Sequence, residues 1–125
     1  MTDVRRVGGH LLVAALLLSP TILTAQAPVV SKVEPPNWWA NHSINPVRLL
    51  IRGANLAGAR VACPRLTCGA VTVNAAGTYA FVDVRIAPTA RPGDYPLTLR
   101  TAQGTARIPF TISPQLPVMG RFQGF

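Results

Sequence analysis

Acidic residues are scarce: Asp and Glu number four among 125 residues, against 12 Lys and Arg, and Lys32 is the sole lysine. Beyond the first segment only Glu34, Asp83 and Asp94 remain. Glycoside hydrolysis needs two facing carboxylates. Glu34 precedes a proline pair, Asp94 follows the Pro92-Gly93 turn, and Asp83 has Arg85 two residues on as its expected ion partner, so no catalytic pair is expected among them. Histidine is as rare. His42 stands beside Ser43 without a placed acid, which excludes a Ser-His-Asp arrangement. No glycine-rich phosphate loop follows any strand. The only cysteines, Cys63 and Cys68, have no histidine near them, which makes a poor zinc site. The expectation is no catalytic residue, no metal and no cofactor.

Long apolar runs are also missing. Leu11 to Leu18 is short of the ~20 residues a membrane helix requires, and Pro20 interrupts it. With Arg5-Arg6 before it and Thr24-Ala25-Gln26-Ala27 after it, this is the charged, apolar, small-residue order of a secretory signal peptide, residues 1–25. Cleavage after Ala25 avoids leaving Pro28 at the new N-terminus. No cysteine ends the run, so no lipid anchor is expected. The expected location is secreted or periplasmic, with no membrane association after cleavage. In such a compartment the Cys63/Cys68 pair reads as a disulfide pinning a local turn.

The net charge of +8 raises the question of polyanions. The arginines at 48, 52, 60, 65, 85, 91, 100, 107 and 121 are scattered singly, which reads as a solvated face and not a nucleic-acid site. About 100 residues follow the leader, enough for one small domain.

What is present is a series of short alternating segments. Val29 to Val33 is the first strand. Val47, Leu49 and Ile51 alternate with Arg48, Leu50 and Arg52. Arg60 to Cys63 and Ala70 to Asn74 follow. Ala80, Val82, Val84 and Ile86 alternate with Tyr79, Phe81, Asp83 and Arg85. Tyr95, Leu97 and Leu99 form another set, and Ala106, Ile108, Phe110 and Ile112 the last. Period two without a helical period, in about seven strands, predicts an all-β, immunoglobulin-like β-sandwich over residues 28–113. Pro96 and Pro109 imply edge strands or outward-pointing backbone. Residues 114–125 lose the alternation and read as a linker.

The remaining feature is Val33-Glu34-Pro35-Pro36-Asn37-Trp38-Trp39, which holds both tryptophans. Adjacent residues in an extended segment point opposite ways, so one indole is expected in the core and its neighbour outside. An exposed indole is a platform for the apolar face of a sugar. Asn41-His42-Ser43 also matches a glycosylation acceptor, a pattern frequent by chance.

At these residues the chain resembles the N-terminal domain of cyclomaltodextrinases and neopullulanases of the α-amylase family. The resemblance continues in Val47 to Leu56, in Tyr79-Ala80-Phe81-Val82-Asp83-Val84 and in Pro92-Gly93. It implies a domain that precedes a (β/α) barrel acting on α-1,4-glucosidic bonds, with residues 114–125 leading toward a catalytic domain missing from this sequence. Such a barrel takes ~250 residues and does not fit here. Cys63 and Cys68 depart from the family's pattern. The implied partner is an α-amylase-type barrel, in cis or in trans. Trp38, Trp39, Tyr79 and Phe81 are the candidates for barrel docking or α-glucan contact, and no hydrolysis by the chain alone is expected. The alternative is a generic immunoglobulin-like interaction module of a secreted or envelope protein, with the tryptophans in its core. A small-molecule or metal-binding protein has almost no support in the sequence.

Overall fold

The computed structural model describes residues 25–117. The expected signal peptide lies almost entirely outside them, as does the linker beyond Pro117. Among the described residues there is no helix, and eleven strand segments make up the fold. They are β1 (Val29–Glu34), β2 (Asn37–Trp39), β3 (Val47–Ala54), β4 (Arg60–Ala62), β5 (Thr67–Cys68), β6 (Thr72–Val73), β7 (Tyr79–Arg85), β8 (Gly93–Asp94), β9 (Leu97–Thr101), β10 (Gly104–Ile108) and β11 (Thr111–Ser113).

The largest sheet runs β1-β3-β7, with β5 and β6 both pairing β7. A second runs β10-β9-β4, and a third, small sheet runs β2-β11-β8, where β11 is parallel to β2 and antiparallel to β8. The alternation decides which faces meet. Leu49, Ile51, Ala80, Val82 and Val84 point inward from the first sheet, Leu97, Leu99 and Ile108 from the second, and Ile112 from the third. Together with Leu56 and Phe110 they form one buried cluster with no buried polar side chain. This is the interior of a β-sandwich.

About seven strands were expected and eleven segments are found, for two physical reasons. First, Ala106 to Ile112 is not one strand. Pro109 has no N–H for a ladder, and the chain leaves the second sheet after Ile108 and joins the third at Thr111. Ile108, Phe110 and Ile112 stay buried across this change, so the apolar period runs on although the pairing does not. Second, the segment expected over Ala70 to Asn74 pairs only at Thr72–Val73, and Thr67–Cys68 and Gly93–Asp94 pair over two residues each. Pro96 precedes β9 and sits in no strand.

Two local features fix the sheet geometry. Gly53 lies where β1 crosses β3, and a Cβ there would overlap the Val29 carbonyl oxygen. The register of β1 shifts between Val30 and Lys32 beside it. Beside it, at the start of β7, Asn74 Oδ1 accepts the N–H groups of Thr78 and Tyr79 at 2.8 and 2.9 Å. Gly77 closes that turn at φ +68°, a conformation glycine adopts without strain. The turn therefore sets where Tyr79 begins its strand.

Candidate functional site

The structure places the four candidate aromatics on two different sheets. Trp38 and Trp39 belong to β2, which is held by β11: Asn37 Nδ2 donates to Ser113 Oγ at 3.1 Å, and the Ala40 N–H to the Ser113 carbonyl at 2.9 Å. The chain then turns at Asn41, whose φ of +52° is in the left-handed region that asparagine tolerates. Two hydrogen bonds close the loop. The Trp38 indole N–H donates to the Ile44 carbonyl at 3.0 Å, and the Ile44 N–H donates to His42 Nδ1 at 2.9 Å.

This loop brings His42 against both indoles. Its ring centroid lies 5.0 Å from Trp38, edge on, and 5.5 Å from Trp39, stacked at 27°. The indoles themselves are 5.3 Å apart. The expectation that the tryptophans point opposite ways is thus corrected: both are half-buried members of one cluster, because the loop folds back over them. They still differ, since Trp38 packs on the core and Trp39 is not among the side chains that do. In the sequence His42 stands only as a histidine beside Ser43 without a placed acid. Its aromatic role was missed, and its place four residues after Trp38, next to a turn-forming asparagine, was the available signal.

Tyr79 and Phe81 stand side by side on the outer face of the first sheet and are 37% and 41% exposed. Leu50 lies directly across from Phe81, and Arg52 from Tyr79 with its guanidinium 6.0 Å from the ring centroid. Shallow hollows flank the pair. One of about 180 Å³ is lined by Lys32, Glu34, Leu50, Arg52 and Tyr79, and another of about 150 Å³ includes Arg48, Thr72, Phe81 and Asp83. Among the described residues no aromatic contact joins this face to the tryptophans, so the candidates form two sites.

Each described carboxylate has a partner. Asp83 pairs with Arg48, directly opposite in the register, at 2.8 Å, and not with Arg85 as expected. Arg48 is the directly opposite cross-strand neighbour and so starts closer to Asp83 than Arg85 does, one full pleat repeat along the strand, a span that Lys32 and Glu34 do bridge on β1. The bond from Arg48 is the main reason the Asp83 carboxyl sits below its ordinary value. Glu34 pairs with Lys32, whose hydrogen bond lowers its pKa likewise. Asp94 Oδ1 accepts from Thr111 Oγ1 at 3.1 Å. No cluster of metal-ligating side chains occurs among the described residues.

Cys63 and Cys68 are joined in a disulfide with Cα atoms 6.0 Å apart. The enclosed loop carries Arg65 over the Tyr95 ring, 4.0 Å from its centroid, where it also donates to the Asp94 carbonyl.

The described residues thus form an all-β sandwich with Tyr79 and Phe81 on an outer face, a half-buried tryptophan cluster, and each carboxylate hydrogen-bonded. The family described as cyclomaltodextrinase, N-terminal, matches residues 32–115, and the chain belongs to it. That family supports an accessory domain of a glycoside hydrolase, associated with a catalytic amylase-type domain, and these 125 residues hold no catalytic domain. No curated protein matches the chain.

Proposed function

We propose that the chain serves as the non-catalytic N-terminal accessory domain of a secreted α-glucan hydrolase, docking on an α-amylase-type barrel through the Tyr79/Phe81 face and meeting α-glucan at the tryptophan cluster. The observation that carries this reading is the family match over residues 32–115, which spans all four aromatics. Each site supports one part of the division. The Tyr79/Phe81 face is apolar at its centre, flanked by two shallow hollows and rimmed by Arg48, Arg52, Lys32 and the two acids, the composition of a protein-facing patch. Trp39 sits off the core beside His42, suited to lie against a sugar ring. Export through the leader at residues 1–25 to the secreted or periplasmic space belongs to the same reading.

The test uses the two indoles as reporters. Maltoheptaose is titrated into the full chain while tryptophan emission is followed with and without iodide, and reducing ends are assayed in parallel. Protection from iodide without hydrolysis supports the reading; turnover of cyclodextrin by the purified chain overturns its non-catalytic part. Emission indifferent to both reagents favours the second reading, a protein-interaction module whose tryptophans only pack. The Trp38 bond to Ile44 and its contact with the core speak for that alternative at Trp38.

A further inference from the structure

The outer face of the β4-β9-β10 sheet gathers arginines that look isolated in the sequence. Leu97 and Leu99 point into the core from β9, and Ile108 from β10, so Thr98, Arg100, Thr105 and Arg107 point out. Register sets Arg60 of β4 directly opposite Arg100, with Thr105 on its other side. Ala62, Thr98 and Arg107 form the next row. Three exposed guanidiniums therefore share one flat surface. Directly opposite side chains have Cβ atoms roughly 4.5–5.5 Å apart and diagonal ones roughly 7–8 Å.

Like charges directly opposite in a ladder are destabilising, and no acid among the described residues lies on this face to offset them. Glu34 and Asp83 lie on the other sheet with their own partners, and Asp94 is held at β8. Among the described residues neither Arg60, Arg100 nor Arg107 forms an ion pair. The other outer face carries two acids, each in an ion pair, beside its cations Lys32, Arg48, Arg52 and Arg85. An uncompensated cation cluster of this kind gains most from an external anion.

We propose that this face docks on a phosphate-bearing lipid surface, with Arg60, Arg100 and Arg107 pairing headgroup phosphates and Thr98 and Thr105 supplying hydroxyls between them. The geometry chooses among polyanions. Guanidinium forks match phosphate oxygens bidentately. A sheet face presents its cations in a plane, as an array of headgroups requires. Among the described residues it carries no aromatic ring on which nucleic-acid bases would stack. A second copy of the chain is disfavoured because two of its three described acids are already in ion pairs and the third, Asp94, accepts from Thr111. The inference is independent of the α-glucan reading, which concerns other surfaces.

The experiment is flotation of the full chain with phosphatidylcholine vesicles, with and without phosphatidylglycerol, at low and high salt. Binding that requires phosphatidylglycerol and fades with salt is expected. Each of Arg60→Gln, Arg100→Gln and Arg107→Gln should lower partitioning about fivefold, and the triple variant on the order of a hundredfold, as each cation near such a surface contributes alike. Arg85→Gln, on the opposite face, should leave it unchanged. The leader is present in every variant, so binding through its apolar run would appear as equal partitioning to neutral vesicles, and this overturns the proposal. So does a folded triple variant that binds like the parent, or competition by inorganic phosphate that chloride of equal ionic strength does not reproduce, which would assign the cations to a single-ion site. If the triple variant does not fold, the single variants decide the matter.

Discussion

Replacing each tryptophan by alanine should separate the one that holds the fold from the one free to bind. Removing a fully buried large aromatic costs about 3–5 kcal/mol. Trp38 is half-buried against the core, so about half of that applies, near 2 kcal/mol. The lost hydrogen bond to Ile44 adds about 0.5–1 kcal/mol, the low side of the usual range, because the bond is exposed and water can take over the carbonyl. Trp38→Ala is thus expected to cost about 2.5–3 kcal/mol, which lowers Tm by roughly 10–20 °C in a domain of this size. Each indole also has two ring contacts, at about 0.5–1.5 kcal/mol per pair, Trp38 with Trp39 and His42, and Trp39 with Trp38 and His42. The core packing and the Ile44 bond are therefore what make Trp38→Ala the costlier change. The assay is urea and thermal unfolding followed by far-UV circular dichroism. Single-indole variants add the functional arm. Trp38→Phe leaves Trp39 as sole reporter and should retain protection from iodide by maltoheptaose, while Trp39→Phe should lose it with little change in Tm. A Trp39→Ala variant as unstable as Trp38→Ala, or more so, would refute the division.

Four further outcomes follow from other parts of the structure. Reducing the Cys63–Cys68 disulfide, or replacing both residues by serine, should cost about 2 kcal/mol from the reopened short loop, and Arg65→Ala in the oxidised chain should cost clearly less. Thermal melts would show both. Gly53→Ala should loosen β1 from β3, because the added methyl meets backbone that cannot swing aside, and amide exchange should rise first along Val29 to Glu34. Asp83 has a depressed pKa in the fold, so its pair adds stability above the unfolded value and loses it as pH falls through the lowered one. The acid decline of Tm below about pH 4 should therefore be shallower in Asp83→Asn, and an unchanged pH slope would remove this pair from the account. Phe110→Ala should cost about 3–5 kcal/mol, enough to unfold a marginal domain, as seen in the loss of near-UV ellipticity.

Where an element has one wet face and one dry face, the sequence shows it. Leu49/Ile51 against Arg48/Arg52, and Val82/Val84 against Phe81/Asp83, are readable as strands because burial follows the two-residue period. The break at Pro109 was not readable from that period, since Ile108, Phe110 and Ile112 remain buried while the strand changes sheets. Burial and pairing are separate properties, and the period reports only burial. Partners fixed by register were hidden for a related reason. Asp83 looks closest to Arg85 along the chain, but its hydrogen-bonding neighbour comes from 35 residues away. His42 reaches the indoles only because the backbone of Ile44 closes a loop, which composition does not announce.

Register also separates two kinds of surface, and their physics differs enough for one variable to tell them apart. Stacking and apolar contact at Trp39, Tyr79 and Phe81 depend on area removed from water, and salt leaves them intact or strengthens them. Attraction at Arg60, Arg100 and Arg107 is between exposed charges, screened over about 8 Å at physiological ionic strength and about 3 Å at 1 M. Raising salt should therefore release the chain from anionic vesicles while sparing association with glucan or barrel. Loss of both together would mean that charge also contributes at the aromatic sites, through the Arg48, Arg52 and Lys32 rim of the Tyr79/Phe81 face or through one partner common to both faces. Persistence of both would mean that apolar contact holds the vesicles, and the unpaired arginines of the β4-β9-β10 face would then be carrying nothing but their own repulsion.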